Sequence, residues 1–236
     1  MPRCAILAGG LATRLGELSK KTPKSLIEVA GKPFIEHQLA LLKREGFLEI
    51  VICTGYLSEQ IERYVEKGER FGLRISYSHD GNKSLGTGGA LRKALPLLGS
   101  HFFVIYGDAY LDISFGPVYS RFLESGKKGL MTVFKNSDRW DTSNILFQHG
   151  VIEKYDKRNR TPEMKHIDFG LSVLSSSAFI ECPRDETFDL SFLYQSMIHQ
   201  RDMEGFEVFH RFYEIGTQVG LSETEEYLQS HSFKEL

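Results

Sequence analysis

Two rhythms of apolar positions alternate along the first half of the chain. Arg3 to Ala8, Glu49 to Cys53 and Phe102 to Tyr106 are short apolar runs, the length and composition of strands covered on both faces. Between the first two, Phe34, Ile35, Gln38, Leu39, Leu41 and Leu42 follow helical spacing, and Gly46 stops that helix. Ser58 to Val65 predicts a short helix with a serine cap, and Leu73 to Ser78 alternates as a strand does. Thr87 to Leu95 predicts a helix closed by Pro96. Strands and helices in alternation predict an α/β fold, a mostly parallel sheet wrapped by helices.

The rhythm changes after about residue 129. Asn144 to Phe147 and Val151 to Tyr155 flank Gln148-His149-Gly150 and read as a hairpin. Ile167 to Leu174 predicts a strand, Ser191 to Gln200 a helix, and Glu207 to His210 a short strand. Ser222-Glu223-Thr224-Glu225 matches a capping box that would open a final helix through Leu228. No repeat and no linker rich in Pro, Gly or Ser interrupts the 236 residues. One domain is expected, with about 1–128 and about 129–236 as its two halves.

Composition narrows the function classes. A net charge of −2 leaves no basic footprint for nucleic acid. The apolar run before Gly9 is too short for a membrane span or a signal segment. Three scattered cysteines, Cys4, Cys53 and Cys182, form no disulfide framework and fit a reducing, cytoplasmic setting. Eight histidines are dispersed without metal-ligand spacing, and no G-x-S-x-G elbow is present.

The first strand runs into Leu7-Ala8-Gly9-Gly10-Leu11-Ala12-Thr13-Arg14, and Pro23-Lys24-Ser25-Leu26 follows. Glycines let a backbone approach a ligand, and successive N–H groups in such a turn form an anion-binding concavity. Arg14 and Lys24 add two cations at the same mouth. The pattern is neither the dinucleotide fingerprint nor the P-loop. Gly9-Gly10 alone would equally suit an ordinary strand-to-helix turn. Further on, Leu85-Gly86-Thr87-Gly88-Gly89-Ala90 follows a strand and opens a helix. Asp108 appears as the strand Phe102 to Tyr106 ends, where open α/β sheets place ligands, although an Asp there can also simply cap a turn.

Taken together, these strings resemble the sugar-1-phosphate nucleotidyltransferases, whose signature reads G-G-x-G-T-R-L, a spacer, then P-K-P-L. The resemblance covers most of the chain, in the short form that lacks a C-terminal β-helix. The motif wording is closest to the mannose and heptose 1-phosphate guanylyltransferases. It implies a Rossmann-like three-layer fold with a mixed sheet and a small β-hairpin region for the sugar. It also implies that Leu7 to Arg14, Lys24, Leu85, Gly86, Thr87, Gly88 and Asp108 bind the nucleoside triphosphate, GTP being favoured. Glu153, Lys154, Asp168 and Gly170 would hold the sugar 1-phosphate. Asp108 and Glu214, the latter within Tyr213-Glu214-Ile215-Gly216-Thr217, would hold Mg²⁺. Arg14, Lys24, Asp108 and Lys154 would carry catalysis, and a homodimer is compatible with the family. Sugar choice would rest on loops around Trp140, Asp168 and Tyr194.

Four positions depart from the family's pattern. Ala12 stands for a glycine, Ser25 for a proline or alanine, Tyr155 for a proline, and Glu214 for an aspartate. Ser25 occurs in choline-phosphate cytidylyltransferases of the same superfamily, so uridylyl, cytidylyl and choline-phosphate variants stay open. So does a non-catalytic sensor of nucleotide sugars.

Overall fold

The computed structural model describes residues 1–10, 21–81, 83–183 and 186–231. Strand β1 (Arg3–Leu7) lies inside a nine-stranded mixed sheet. It pairs in parallel with β2 (Glu49–Thr54) on one side and with β4 (His101–Tyr106) on the other. Strand β3 (Arg74–His79) adds in parallel to β2. Because β1 has parallel neighbours on both sides, the chain must leave its carboxyl end in a crevice. That crevice is where ligands sit in open α/β sheets.

Each central strand is apolar on both faces, and the two faces meet different helices. Cys4 and Ile6 pack under α1 (Phe34–Arg44), α2 (Ser58–Val65) and α4 (Phe115–Ser125). Ala5 and Leu7 pack under α3 (Gly86–Leu98) and α5 (Leu190–His199). This gives the three layers, helix on sheet on helix. None of the helices among the described residues is long and apolar enough to cross a membrane.

The second half joins the same sheet through antiparallel strands. β9 (His166–Ser175) pairs with β4, and β6 (Gly129–Lys135) pairs with β9. The hairpin of β7 (Ile145–Gln148) and β8 (Val151–Tyr155) forms where expected. β10 (Met203–Val208) lies parallel to β6, and α6 (Gln218–His231) closes the described chain.

Several expectations are corrected. The third helix is not closed at Pro96 but runs on to Leu98 with the proline inside. Burial of Leu91, Ala94 and Leu98 on the sheet outweighs one lost hydrogen bond in the last turn. Ser58 is the first helical residue rather than a cap; Leu57 precedes it in a left-handed conformation and makes no side-chain cap. The final helix begins at Gln218, so Ser222 to Glu225 lie inside it. Thr217 fills the capping role instead, its Oγ1 accepting from Gly220 N at 3.0 Å. The last strand of the main sheet is Met203–Val208, shifted from Glu207 to His210, because its register is set by pairing with β6. That partner strand and the Phe115–Ser125 helix went unpredicted.

Candidate active site

At the carboxyl ends of β1, β2 and β4 lies a cavity of about 300 Å³. That volume is at the lower end for small-molecule sites. One wall is the turn after β1: Leu7, Ala8, Gly9 and Gly10. The opposite wall is Ser84, Gly86, Thr87 and Ala90, where α3 begins. Lys24, Ser25, Tyr106, Gly107 and Asp108 form the rim, with Cys53 and Asp80 behind. Leu11, Ala12, Thr13 and Arg14 lie outside the described residues.

Gly107 allows the rim to close on β1. A Cβ there would lie 2.8 Å from the Leu7 carbonyl oxygen and 2.9 Å from Ala8 Cα, distances no side chain tolerates. The next residue, Asp108, is thereby held at the cavity mouth. Its carboxylate makes a short ion pair with Lys24 Nζ. Asp108 O also accepts from Ile215 N at 2.9 Å. This bond extends a small ladder in which β5 (Ala109–Tyr110) pairs antiparallel with β11 (Tyr213–Glu214), Glu214 opposite Ala109. Glu214, 106 positions away in sequence, is thus carried to Asp108's side by backbone pairing. Glu214 Oε1 and Lys24 Nζ both lie within 3.5 Å of the point where a Cβ on Gly216 would sit. The Lys24 ammonium thus pairs with Asp108 and has Glu214 in its neighbourhood. α6 fixes this strand from behind, with Thr224 Oγ1 donating to Glu214 O at 3.1 Å.

The glycines at 86–89 serve two purposes. Gly86 and Thr87 line the cavity. Leu85 and Gly88 are absent from its lining and turn instead against the chain's own Phe188. A Cβ at Gly88 would fall 2.2 Å from the Phe188 ring. Gly88 N donates to Phe188 O at 3.0 Å, and Phe188 N donates to Leu85 O at 3.0 Å. Part of the glycine signal is therefore packing. Asp80 sits beneath this loop, accepting from Leu85 N at 3.0 Å. Burial pushes its carboxyl up from the ordinary value, against the pull of that hydrogen bond and of Lys93. The Ser25 hydroxyl, buried beside Lys24, has no hydrogen-bond partner among the described residues.

Next to Tyr106 stands Asp168, carried by β9. β9 slips its register against β6 between Asp168 and Ser172, a bulge of the kind that re-aims side chains next to active sites. Gly170, at φ +102°, lies inside it. Asp168 accepts from Gly170 N at 3.0 Å and from the Tyr106 hydroxyl at 3.5 Å. Burial raises its carboxyl above the ordinary range, and the Lys157 ammonium partly offsets this. Glu153 and Lys154 are placed differently from expectation. A register shift in β8 between Ile152 and Lys154 turns both outward and Tyr155 inward. Lys154 is exposed, and Glu153 pairs with Arg201 at 3.3 Å. The cation that acts on Asp168 and Asp189 is Lys157. Sequence reasoning passed over it, although Asp156-Lys157 repeats the acid-lysine order of Glu153-Lys154 three residues on and closer to Gly170.

Trp140 stands at the outer edge of this half. The Arg211 guanidinium lies 3.6 Å from its ring centroid and 4.6 Å from that of Tyr213, and Tyr213 stacks on Tyr227 at 3.9 Å. The strand that carries Glu214 is therefore gripped from both sides.

A glycine turn and a lysine–carboxylate pair in a parallel-sheet crevice define an α/β protein with a site where open α/β sheets place ligands. Comparison with known sequences gives the family: the profile of the nucleotidyl transferases matches residues 4–162, and the chain belongs to that family. It is 31% identical over 183 residues to the D-glycero-alpha-D-manno-heptose 1-phosphate guanylyltransferase of Campylobacter jejuni, covering 78% of this chain and 80% of that one. It is 44% identical over 118 residues to the N-acetylmuramate alpha-1-phosphate uridylyltransferase of Neisseria meningitidis, 50% of this chain and 51% of that protein. It is 26% identical over 219 residues to the Drosophila melanogaster mannose-1-phosphate guanylyltransferase catalytic subunit beta, 91% of this chain and 59% of that one. The chain thus spans only half to three fifths of several curated relatives. Among solved structures, HddC from Yersinia pseudotuberculosis complexed with GMP-PN superposes with a TM-score of 0.78 at 24% identity, covering 97% of this chain and 100% of that one. The inositol-1-phosphate CTP transferase from T. maritima gives 0.78 at 19%, covering 97% and 95%. Both show the fold.

Proposed function

We propose that this protein transfers a nucleoside monophosphate from a nucleoside triphosphate to a sugar 1-phosphate, releasing pyrophosphate. One observation carries the reading: Lys24, Asp108 and Glu214, remote in sequence, converge at the mouth of a cavity walled by two glycine turns. Guanylyl transfer to a heptose or hexose 1-phosphate is the form we favour, on the strength of the C. jejuni relative and the motif wording.

The chemistry needs no protein nucleophile. A phosphate monoester is ionised at neutral pH and can attack the α-phosphorus directly, so rate comes from positioning and charge stabilisation. The N–H groups of the Gly9–Gly10 turn would cradle phosphate oxygens. Lys24 would leave Asp108 for the α-phosphate, where positive charge is needed as the bond to pyrophosphate breaks. Arg14, expected at the same mouth from its motif position, would hold the leaving pyrophosphate with its planar fork. Lys157, or Lys154 after rotation of the β8 end, would hold the acceptor's phosphate against repulsion from the triphosphate.

The carboxylates of Asp108 and Glu214 are hard oxygen donors of the kind Mg²⁺ takes. Asp108 and Glu214 would hold that ion, which supplies charge neutralisation between the two phosphates when bound.

The test is a pyrophosphate-release screen of the purified protein with Mg²⁺, using GTP, UTP, CTP, dTTP and ATP against heptose, mannose, glucose and N-acetylmuramate 1-phosphates. Release with a GTP pair is expected. Nucleotide-sugar binding by calorimetry without release from any pair would establish a sensor instead.

A further inference from the structure

Two aspartates line the cavity, each just past the end of a parallel strand. Asp108 follows β4 at the mouth and is paired with Lys24. Asp80 follows β3 at the back. Its backbone N–H donates to Thr54 O at 2.9 Å, which prolongs the β2–β3 pairing and fixes where the side chain leaves the sheet. That side chain joins the two glycine walls. Asp80 Oδ2 accepts from Leu85 N at 3.0 Å, at the threshold of α3. The same oxygen lies 3.5 Å from where a Cβ on Gly55 would sit, and that Cβ would also fall 3.1 Å from Gly9 O. Among the described residues no cation forms an ion pair with the Asp80 carboxylate, and its Oδ1 accepts no hydrogen bond; Lys93 reaches the backbone carbonyl instead, at 3.4 Å. Lys24, Asp80 and Asp108 are the only charged side chains among the described residues of the lining.

The rest of the cavity fixes which part of a nucleotide meets Asp80. The Gly9–Gly10 turn and Lys24 suit phosphates, so the base lies toward Ser84, Gly86 and Thr87, with Asp80 at its edge. A carboxylate only accepts, and it offers two oxygens side by side. Guanine alone among the common bases presents two adjacent donors on its Watson–Crick edge, N1–H and N2–H₂. Uracil and thymine set one N3–H between two carbonyl oxygens, so a carboxylate that takes the donor meets an oxygen beside it. Adenine and cytosine offer one amino group next to a bare ring nitrogen.

Resting on the proposed nucleotidyl transfer, we infer that Asp80 is the residue that chooses the base, its carboxylate taking N1–H and N2–H₂ of guanine. Each carboxylate oxygen has two lone pairs, so Oδ2 keeps Leu85 N while it receives the base. Uracil and thymine are turned away because they leave one oxygen of a half-buried carboxylate against a carbonyl.

The test changes the base edge one group at a time. Binding of GTP, inosine triphosphate, xanthosine triphosphate and UTP is read by calorimetry with Mg²⁺ and no sugar phosphate. Inosine lacks the N2 amino group and should bind about 10-fold more weakly than GTP, the size of one lost hydrogen bond to a charged group. Xanthosine carries an oxygen there and should bind more weakly still, as should UTP. Asp80→Asn keeps an oxygen for Leu85 N and exchanges the other for an amide donor. It should weaken GTP by about 10-fold or more and strengthen xanthosine triphosphate, inverting their order. An aspartate that only holds the Leu85 loop would lower all four alike and leave the ratios unchanged. Equal affinity for GTP and inosine triphosphate in the wild-type protein, UTP bound as tightly as GTP, no binding of GTP, or an unchanged GTP-to-xanthosine ratio in the variant would each overturn the inference. Pyrophosphate release is measured separately with the sugar 1-phosphate panel. Release without base discrimination sinks the role of Asp80 and leaves the transfer standing, whereas discrimination without release does the reverse.

Discussion

On the nucleotide side of the cavity the walls are largely backbone. The Gly9–Gly10 turn, the Gly107 contact and the start of α3 present main-chain groups, and parallel strands hold them in place. On the proposed acceptor side the polar groups come from side chains: Asp168, set beside Tyr106 by a bulge in β9, and Lys157 nearby. The difference suits the two ligands. A triphosphate asks for N–H donors and cations at fixed places, which a tight turn supplies. Sugars differ only in where hydroxyls and charges stand, so their discrimination has to come from interchangeable side chains on deformable strands.

This contrast can be tested most severely at the junction of the two sides. Asp108→Ala should lower turnover by about 10³-fold with the fold intact by circular dichroism, the size of a lost charge-stabilising group. Near-normal pyrophosphate release would remove Asp108 from the site. On the backbone-walled side, Gly107→Ala should destabilise by about 2–3 kcal/mol in urea titration, because its Cβ meets main-chain atoms of Leu7 and Ala8 that cannot yield. Gly88→Ala should cost less, about 1 kcal/mol, since the Phe188 ring it meets can rotate away.

The side-chain-walled half makes a prediction about pH, with two carboxylates of opposite sign. Glu204 is buried and held by Arg121 and Lys127, which keep its carboxyl below the ordinary 4.5 despite burial. Its contribution is complete above that value and is lost as pH falls through the depressed one. Glu204→Gln should therefore flatten the acid limb of a stability-versus-pH curve and cost about 1–2 kcal/mol at neutral pH. Asp168 is raised above its ordinary 3.8, so its ionisation costs stability at neutral pH and the cost disappears as pH falls toward 3.8. Asp168→Asn should be neutral or stabilising at pH 7, which marks a group kept for function at some expense of the fold. Both curves follow from chemical denaturation between pH 3 and 8.

A modest effect is expected at the outer stack. Trp140 is the chain's single tryptophan, with Arg211 3.6 Å and Arg139 5.2 Å from its ring centroid, so its fluorescence reports this stack. Arg211→Ala should cost about 1 kcal/mol and change Trp140 emission. An unchanged spectrum would show that the guanidinium does not hold the ring in solution.

How much of this could be read from the chain varies with distance along it. The strands Arg3–Leu7, Glu49–Thr54 and His101–Tyr106 were legible because burial on both faces leaves an uninterrupted apolar run. The β7–β8 hairpin was legible from its turn. The β6 strand was missed because its identity depends on β9 and β10, its partners on either side. Lys157 was missed because only the register shift in β8 decides which lysine turns outward. The glycines at 86–89 were legible as a loop, but that Gly88 answers to Phe188, a hundred residues on, was not.

By itself the sequence determined the alternation that makes an α/β sheet, the glycine turn and the lysine of the first crevice, and the presence of carboxylates at Asp108 and Glu214. These are local properties, set by periodicity and by residue chemistry within a few positions. Only the tertiary structure decided that Glu214 pairs beside Asp108, that Glu153 and Lys154 turn outward while Tyr155 turns inward, and that the Tyr155 hydroxyl is buried without a partner among the described residues. Those outcomes depend on strand register and on a bulge, and register is settled by contacts between segments that the linear chain keeps far apart.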